Sequence, residues 1–230
     1  MKKYLAVAFV LATFAVGGIQ AQIIWNFGNA TDGALATPST DVEALLSGGA
    51  VTQGNNNGTT TLLTSTSPSS GYTGASGSFN AGAAALTGSL DMSTSAYFAF
   101  TLTADGGSDA TLSAISFGSR STSTGPKLYT IVYSTNNFTS STTLASGSMP
   151  ATSTWTLYSP TFTALTIGSG SSVAFRIYGS DGTGSPTAST ANWRIDDLSV
   201  NPVPEPGTVA LVALGLGVVT WGMRRRRVTA

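Results

Sequence analysis

The residues best equipped for chemistry are two acidic pairs, Asp196-Asp197 and Asp105 with Asp109. Neighbouring positions on a strand point to opposite faces, so Asp196 and Asp197 are not expected to form the pair that a glycosidase sets ~5–9 Å apart. Asp197 falls on the predicted face of Trp193 and Ile195. It is open to three readings: a turn cap, an ion pair with Arg194 or Arg176, or a ligand of a structural calcium. Asp105 and Asp109 bracket Gly106-Gly107-Ser108 and offer the same hard oxygen donors, or serve as plain turn formers; their spacing is not that of an EF-hand. The 230 residues include neither histidine nor cysteine. The commonest general base, the commonest metal ligand and the thiol nucleophile are therefore missing, which excludes Ser-His-Asp, Cys-His and zinc-hydrolase schemes. No catalytic residue is expected, and no cofactor other than the structural calcium.

A second kind of chemistry is stacking. Tyr178 with Arg176, joined by Tyr129 or Tyr133, is expected to line a sheet face. A ring face against the C–H surface of a pyranose, rimmed by Ser, Thr and Asn hydroxyls and amides, suits a neutral polysaccharide. The competing reading buries the same rings between two sheets. Gly168-Ser169-Gly170 and Asp181-Gly182-Thr183-Gly184 have the composition of phosphate loops, but neither precedes a helix, so both read as hairpin loops.

The elements that must position these residues lie between two apolar ends. Met1-Lys2-Lys3, the apolar run Leu5–Val16 and Ile19-Gln20-Ala21 form a signal peptide over residues 1–21, with cleavage after Ala21; an uncleaved anchor is the alternative. The body, residues 22–201, is long enough for one core. Of ten basic and ten acidic residues, six basic ones (Lys2, Lys3 and Arg224–Arg227) lie in the terminal segments, so the body is mildly acidic. It offers no basic patch to track phosphates, and no nucleic-acid partner is expected. Without cysteine it must rely on burial and sheet hydrogen bonds.

The body reads as strands. Tyr97–Thr103 sets Phe98, Phe100 and Leu102 on one face, and Val173–Tyr178 sets Val173, Phe175 and Ile177 inward with Arg176 and Tyr178 outward. In Ala110–Phe117, Leu112 breaks phase with Ile115 and Phe117, which predicts a bulge. In Ala191–Val200 the apolar face flips at Asp196-Asp197. Ile23–Phe27, Thr59–Leu63, Lys127–Ser134 and Thr154–Thr163 complete the expected strands. Asp41–Leu46 reads as one helical turn, and Ser65–Gly82 as a long loop. Eight or nine strands without amphipathic helices give an all-β fold, an antiparallel β-sandwich of jelly-roll type.

At the C-terminus, Val203-Pro204-Glu205-Pro206 precedes an uncharged run, Thr208–Met223, and then Arg224, Arg225, Arg226 and Arg227. Sixteen residues reach ~24 Å as a helix, short of a ~30 Å hydrocarbon core. A transmembrane helix over 208–223 is expected nonetheless, with the arginines holding its end in the cytoplasm; an ordinary tail anchor reads the same way. This ordered trio resembles the PEP-CTERM protein-sorting signal of Gram-negative bacteria, over residues 202–230. The resemblance implies an exosortase partner that cuts near the Pro-Glu-Pro motif (204–206) and an association with exopolysaccharide, while the apolar run and its arginines imply a transient anchor in the inner membrane. The strands Lys127–Ser134, Val173–Tyr178 and Asn192–Val200 resemble, more loosely, bacterial surface-protein jelly rolls of galactose-binding-like type.

The expected protein is thus secreted: an inner-membrane-anchored precursor that becomes a non-catalytic cell-surface or matrix protein sorted by exosortase. The alternative is a carbohydrate-binding module for neutral polysaccharide.

Overall fold

The computed structural model describes residues 22–28, 40–41, 45–56, 63–64, 68–105, 107–184, 186 and 190–202. They form β1 (Ile23–Trp25), β2 (Thr40–Asp41), β3 (Leu46–Gly48), β4 (Thr52–Gly54), β5 (Leu63–Thr64), β6 (Asn80–Ala83), β7 (Tyr97–Ala104), β8 (Ala110–Ser121), β9 (Leu128–Ser134), β10 (Thr142–Ser148), β11 (Thr156–Tyr158), β12 (Thr161–Ile167), β13 (Ser172–Ser180) and β14 (Trp193–Pro202). The first sheet runs β11-β8-β14-β1-β2, with β12 also on β8, β6 on β14 and β5 on β6; the second runs β10-β9-β13-β7-β3, with β4 also on β7. Every pairing between these strands is antiparallel.

Period-two alternation in β7 and β13 sends Phe98, Phe100, Leu102, Val173, Phe175 and Ile177 into one buried cluster with Trp25, Phe117 and Trp193 of the first sheet. Aromatic contacts cross between the sheets: Phe98 to Trp193 at 4.7 Å, Trp25 to Phe100 at 5.1 Å and Phe117 to Tyr129 at 5.4 Å between ring centroids. Burying such a side chain contributes about 1.5–3 kcal/mol, which is how the sandwich manages without disulfides. The indole N–H groups of the fully buried Trp25 and Trp193 are satisfied: Trp25 Nε1 donates to Gly49 O at 2.9 Å and Trp193 Nε1 to Ser119 Oγ at 3.0 Å.

Two bulges re-aim the first sheet. Between Leu112 and Ile115, β8 advances three residues while β14 advances two, as the phase break predicts. Between Asp196 and Ser199 the excess lies on β14, and Asp197 takes the left-handed conformation with φ 46°.

The all-β antiparallel sandwich matches the expectation, and its C-terminal transmembrane helix does not. Among the described residues there is no helix, and none long and apolar enough to cross a membrane. The stretch expected to form it, 208–223, lies outside the described residues. The inner-membrane partner and the membrane-anchored precursor depend on that helix and are likewise unsupported. The signal peptide (1–21), Val203–Pro206 and Arg224–Arg227 also lie outside the described residues.

The helical turn over Asp41–Leu46 is corrected too. Its described ends are extended, Asp41 in β2 and Leu46 in β3. Asn80–Ala83, placed within a loop, is a strand whose small side chains lie buried beside β14.

Candidate functional site

On the outer face of the first sheet, the Asp197 bulge gathers the two aspartates on the loop 68–79. Asp197 Oδ2 accepts from Ser69 Oγ at 3.0 Å, Tyr72 Oη at 2.6 Å and Ser76 N at 3.2 Å, and its Oδ1 accepts from Ser76 Oγ at 2.5 Å. Asp196 Oδ2 accepts from Ser69 N at 3.3 Å and its Oδ1 from Asp197 N at 2.8 Å. The expectation that Asp197 shares the Trp193–Ile195 face is thus overturned, because the extra residue shifts the alternation at that point. Burial first, then the Asp197 charge, pushes the Asp196 carboxyl up to about 8. Burial and the bond to Asp197 raise the Tyr72 hydroxyl far above its ordinary range. The Tyr72 ring lies over Gly118 of β8, where a methyl group would overlap it.

Beside this corner is a cleft of about 300 Å³. Tyr72, Ile24 and Leu157 give it apolar surface, and Leu157 is 39% exposed. Gln22, Thr73, Ser116 and Ser199 line it with neutral polar groups, and no cation does. Ser116 and Ser199 share a hydrogen bond of 2.7 Å across the β8–β14 pair. Asp197 also lines the cleft, whereas Asp196 is fully buried and does not.

The aromatic face expected on the second sheet is not assembled as a platform. Tyr129 points inward, edge-on to Phe117, and Tyr133 packs against the core 6.4 Å from Phe175. Tyr178 and Arg176 do point outward, since β13 alternates, but Tyr178 is 1% exposed. Arg176 is half-buried. Its guanidinium carbon lies 4.2 Å from the Tyr97 ring centroid and 3.7 Å from that of Phe138. Nη1 donates to Tyr178 Oη at 3.1 Å, and Tyr178 Oη donates to Met92 O at 3.3 Å.

The three carboxylates considered for calcium are not brought together. Asp109 Oδ1 accepts from Ser169 N at 2.9 Å, and Asp105 donates its N–H to Leu45 O at 2.8 Å. Among the described residues no three His, Cys, Asp or Glu side chains converge. Sequence reasoning missed Tyr72, Leu157 and Gln22. Only the flagged phase flip at Asp196-Asp197 pointed to their neighbourhood.

The PEP-CTERM protein-sorting motif matches residues 202–227, so the chain carries that sorting motif at its C-terminal end. No curated protein matches the chain. Its fold resembles carbohydrate-binding and jelly-roll domains in solved structures. One is the Podospora anserina GH26-CBM35 β-(1,4)-mannanase, at 13% identity and TM-score 0.41 over 81% of this chain and 29% of that one. Another is the K2 cleaved adhesin domain of Lys-gingipain, at 15% identity and TM-score 0.42 over 79% of this chain and 98% of that one. A third is the C-terminal CBM6 of a marine laminarinase from Zobellia galactanivorans, at 13% identity and TM-score 0.34 over 69% and 93%. These are likenesses of fold alone.

Proposed function

We propose that this is a non-catalytic carbohydrate-binding sandwich, exported by its N-terminal segment, sorted by exosortase through its PEP-CTERM motif and associated with exopolysaccharide. The observation that carries the binding reading is the cleft on the first sheet. Its lining combines Tyr72, Ile24 and Leu157 with neutral hydroxyl and amide groups, the mixture that a neutral sugar's C–H face and hydroxyls complement. The one carboxylate in it, Asp197, already accepts four hydrogen bonds from its own loop. That commitment supports recognition over hydrolysis, which needs two carboxyls flanking the bond.

Affinity electrophoresis of the full chain in gels containing mannan, galactan or laminarin tests the reading. Saturable retardation by at least one of them, weakened several-fold in Leu157→Asp, is expected. No retardation in any of the three, or release of reducing ends, overturns it. For delivery, the mass of the protein recovered outside the cell should be short of both terminal segments. Intact polypeptide confined to the cytosol overturns the export and sorting reading.

A further inference from the structure

The second sheet carries a cation that the cleft does not use. Arg176 stands on β13 between Ala99 of β7 and Val132 of β9, and Tyr178, two residues on, stands beside Tyr97. Tyr97 and Phe138 both stack on the guanidinium. Among the described residues no carboxylate pairs with it. Nη1 is held by Tyr178, and Nε is buried with no acceptor. A buried N–H without a partner is unfavourable, and so is a half-buried charge without a counter-charge.

Phe138 is kept in place at a backbone cost. Asn137 and Phe138 both take left-handed conformations, at φ 55° and 59°. The turn is fixed by Ser134 Oγ, which accepts from Asn136 N at 3.1 Å and from Phe138 N at 2.9 Å, and by Asn136 Oδ1, which accepts from Ser140 N at 3.0 Å. A strained turn that holds a ring against an unpaired guanidinium orients the cation in advance of a ligand.

We propose that Arg176, caged by Tyr97 and Phe138, is a binding site for the carboxylate of a uronic acid in an acidic polysaccharide. Because Nε is buried, the edge left to a ligand is that of Nη1 and Nη2, which a planar carboxylate meets through two parallel N–H···O bonds, a geometry that a tetrahedral anion fits less well. The half-buried rings of Tyr97 and Phe138 flank the approach and offer apolar surface to the sugar ring that carries the carboxylate. The saccharide half of this assignment rests on the exported, polysaccharide-facing role proposed above; the carboxylate half does not. The site lies on the sheet opposite the neutral cleft, so the two are separable by mutation.

The test is retention of the full chain in gels containing polygalacturonate, the fully methyl-esterified polymer, or poly-glutamate. Saturable retardation is expected with polygalacturonate only, declining as salt is added, because esterification removes the charge and leaves the sugar. Arg176→Gln should weaken it at least tenfold while leaving neutral-glycan retardation through Leu157 unchanged. Arg176→Lys, which keeps the charge but loses the planar fork, should fall between, and so should Phe138→Ala. Equal retardation by the methyl ester overturns the carboxylate assignment. Equal retardation by poly-glutamate overturns the saccharide assignment. Undiminished binding in a folded Arg176→Gln chain overturns the site itself, whatever the neutral cleft does.

Discussion

The outer faces of the two sheets each hold a charged cluster, and the clusters are built in opposite ways. On the first sheet Asp197 accepts four hydrogen bonds from the loop 68–79. On the second, Arg176 donates one hydrogen bond, to Tyr178, and keeps a buried N–H without an acceptor. The first arrangement satisfies a carboxylate internally and thereby fixes a loop. The second restrains a cation by stacking and leaves its Nη2 donors uncommitted. A charge whose hydrogen bonds are complete is architecture; one that is merely positioned is equipped to meet something else.

The largest expected break in this comparison is Asp197→Ala. It strands the donors of Ser69, Tyr72 and Ser76 and places an alanine at φ 46°, so unfolding in urea should show a loss of about 3–4 kcal/mol.

Next is pH. The folded Asp196 carboxyl is raised to about 8, chiefly by burial, so the native state holds a proton that the unfolded chain releases at its ordinary, lower value. Its contribution is complete below about pH 4 and is lost as pH rises to about 8. Asp196→Asn, neutral at every pH, should flatten this profile in thermal melts and exceed the parent above about pH 8. A profile that rises with pH over the same window would contradict the burial argument.

Gly118→Ala attacks the same corner from beneath, by displacing the Tyr72 ring from Asp197. A loss of about 1–2 kcal/mol is expected, with the core signals of an NMR spectrum little changed. The smallest effect belongs to the other face. Arg176→Met keeps apolar contact with Tyr97 and Phe138 and removes the orphan N–H, so stability should change by less than about 1 kcal/mol in either direction. A large loss there would make Arg176 as structural as Asp197 and erase the contrast.

The strands that large residues mark were legible. The alternations in β7 and β13, the phase break at Leu112 and the flip at Asp196-Asp197 all correspond to features of the structure. Strands made of small polar residues were not. β10, Thr142–Ser148, and β6, Asn80–Ala83, lack the contrast between large apolar and polar side chains on which periodicity depends. The sites were less legible still. The flip showed that the alternation fails but not which side chains benefit, since Tyr72 and Ser76 reach Asp197 across more than a hundred residues of sequence. Arg176 and Tyr178 were correctly placed on the outer face. Their burial depends on Tyr97, on Met92 and on a strained turn at Phe138, none of which a local pattern on β13 contains.

β14 runs through the interior of its sheet, with β8 along one side and first β6, then β1, along the other, and it ends at Pro202, where the sorting motif begins. Force applied to the chain beyond that point therefore enters the body along an inner strand. The ladder bonds on both sides would share the load in shear, all at once, and could not be unzipped one by one as they would at a free edge.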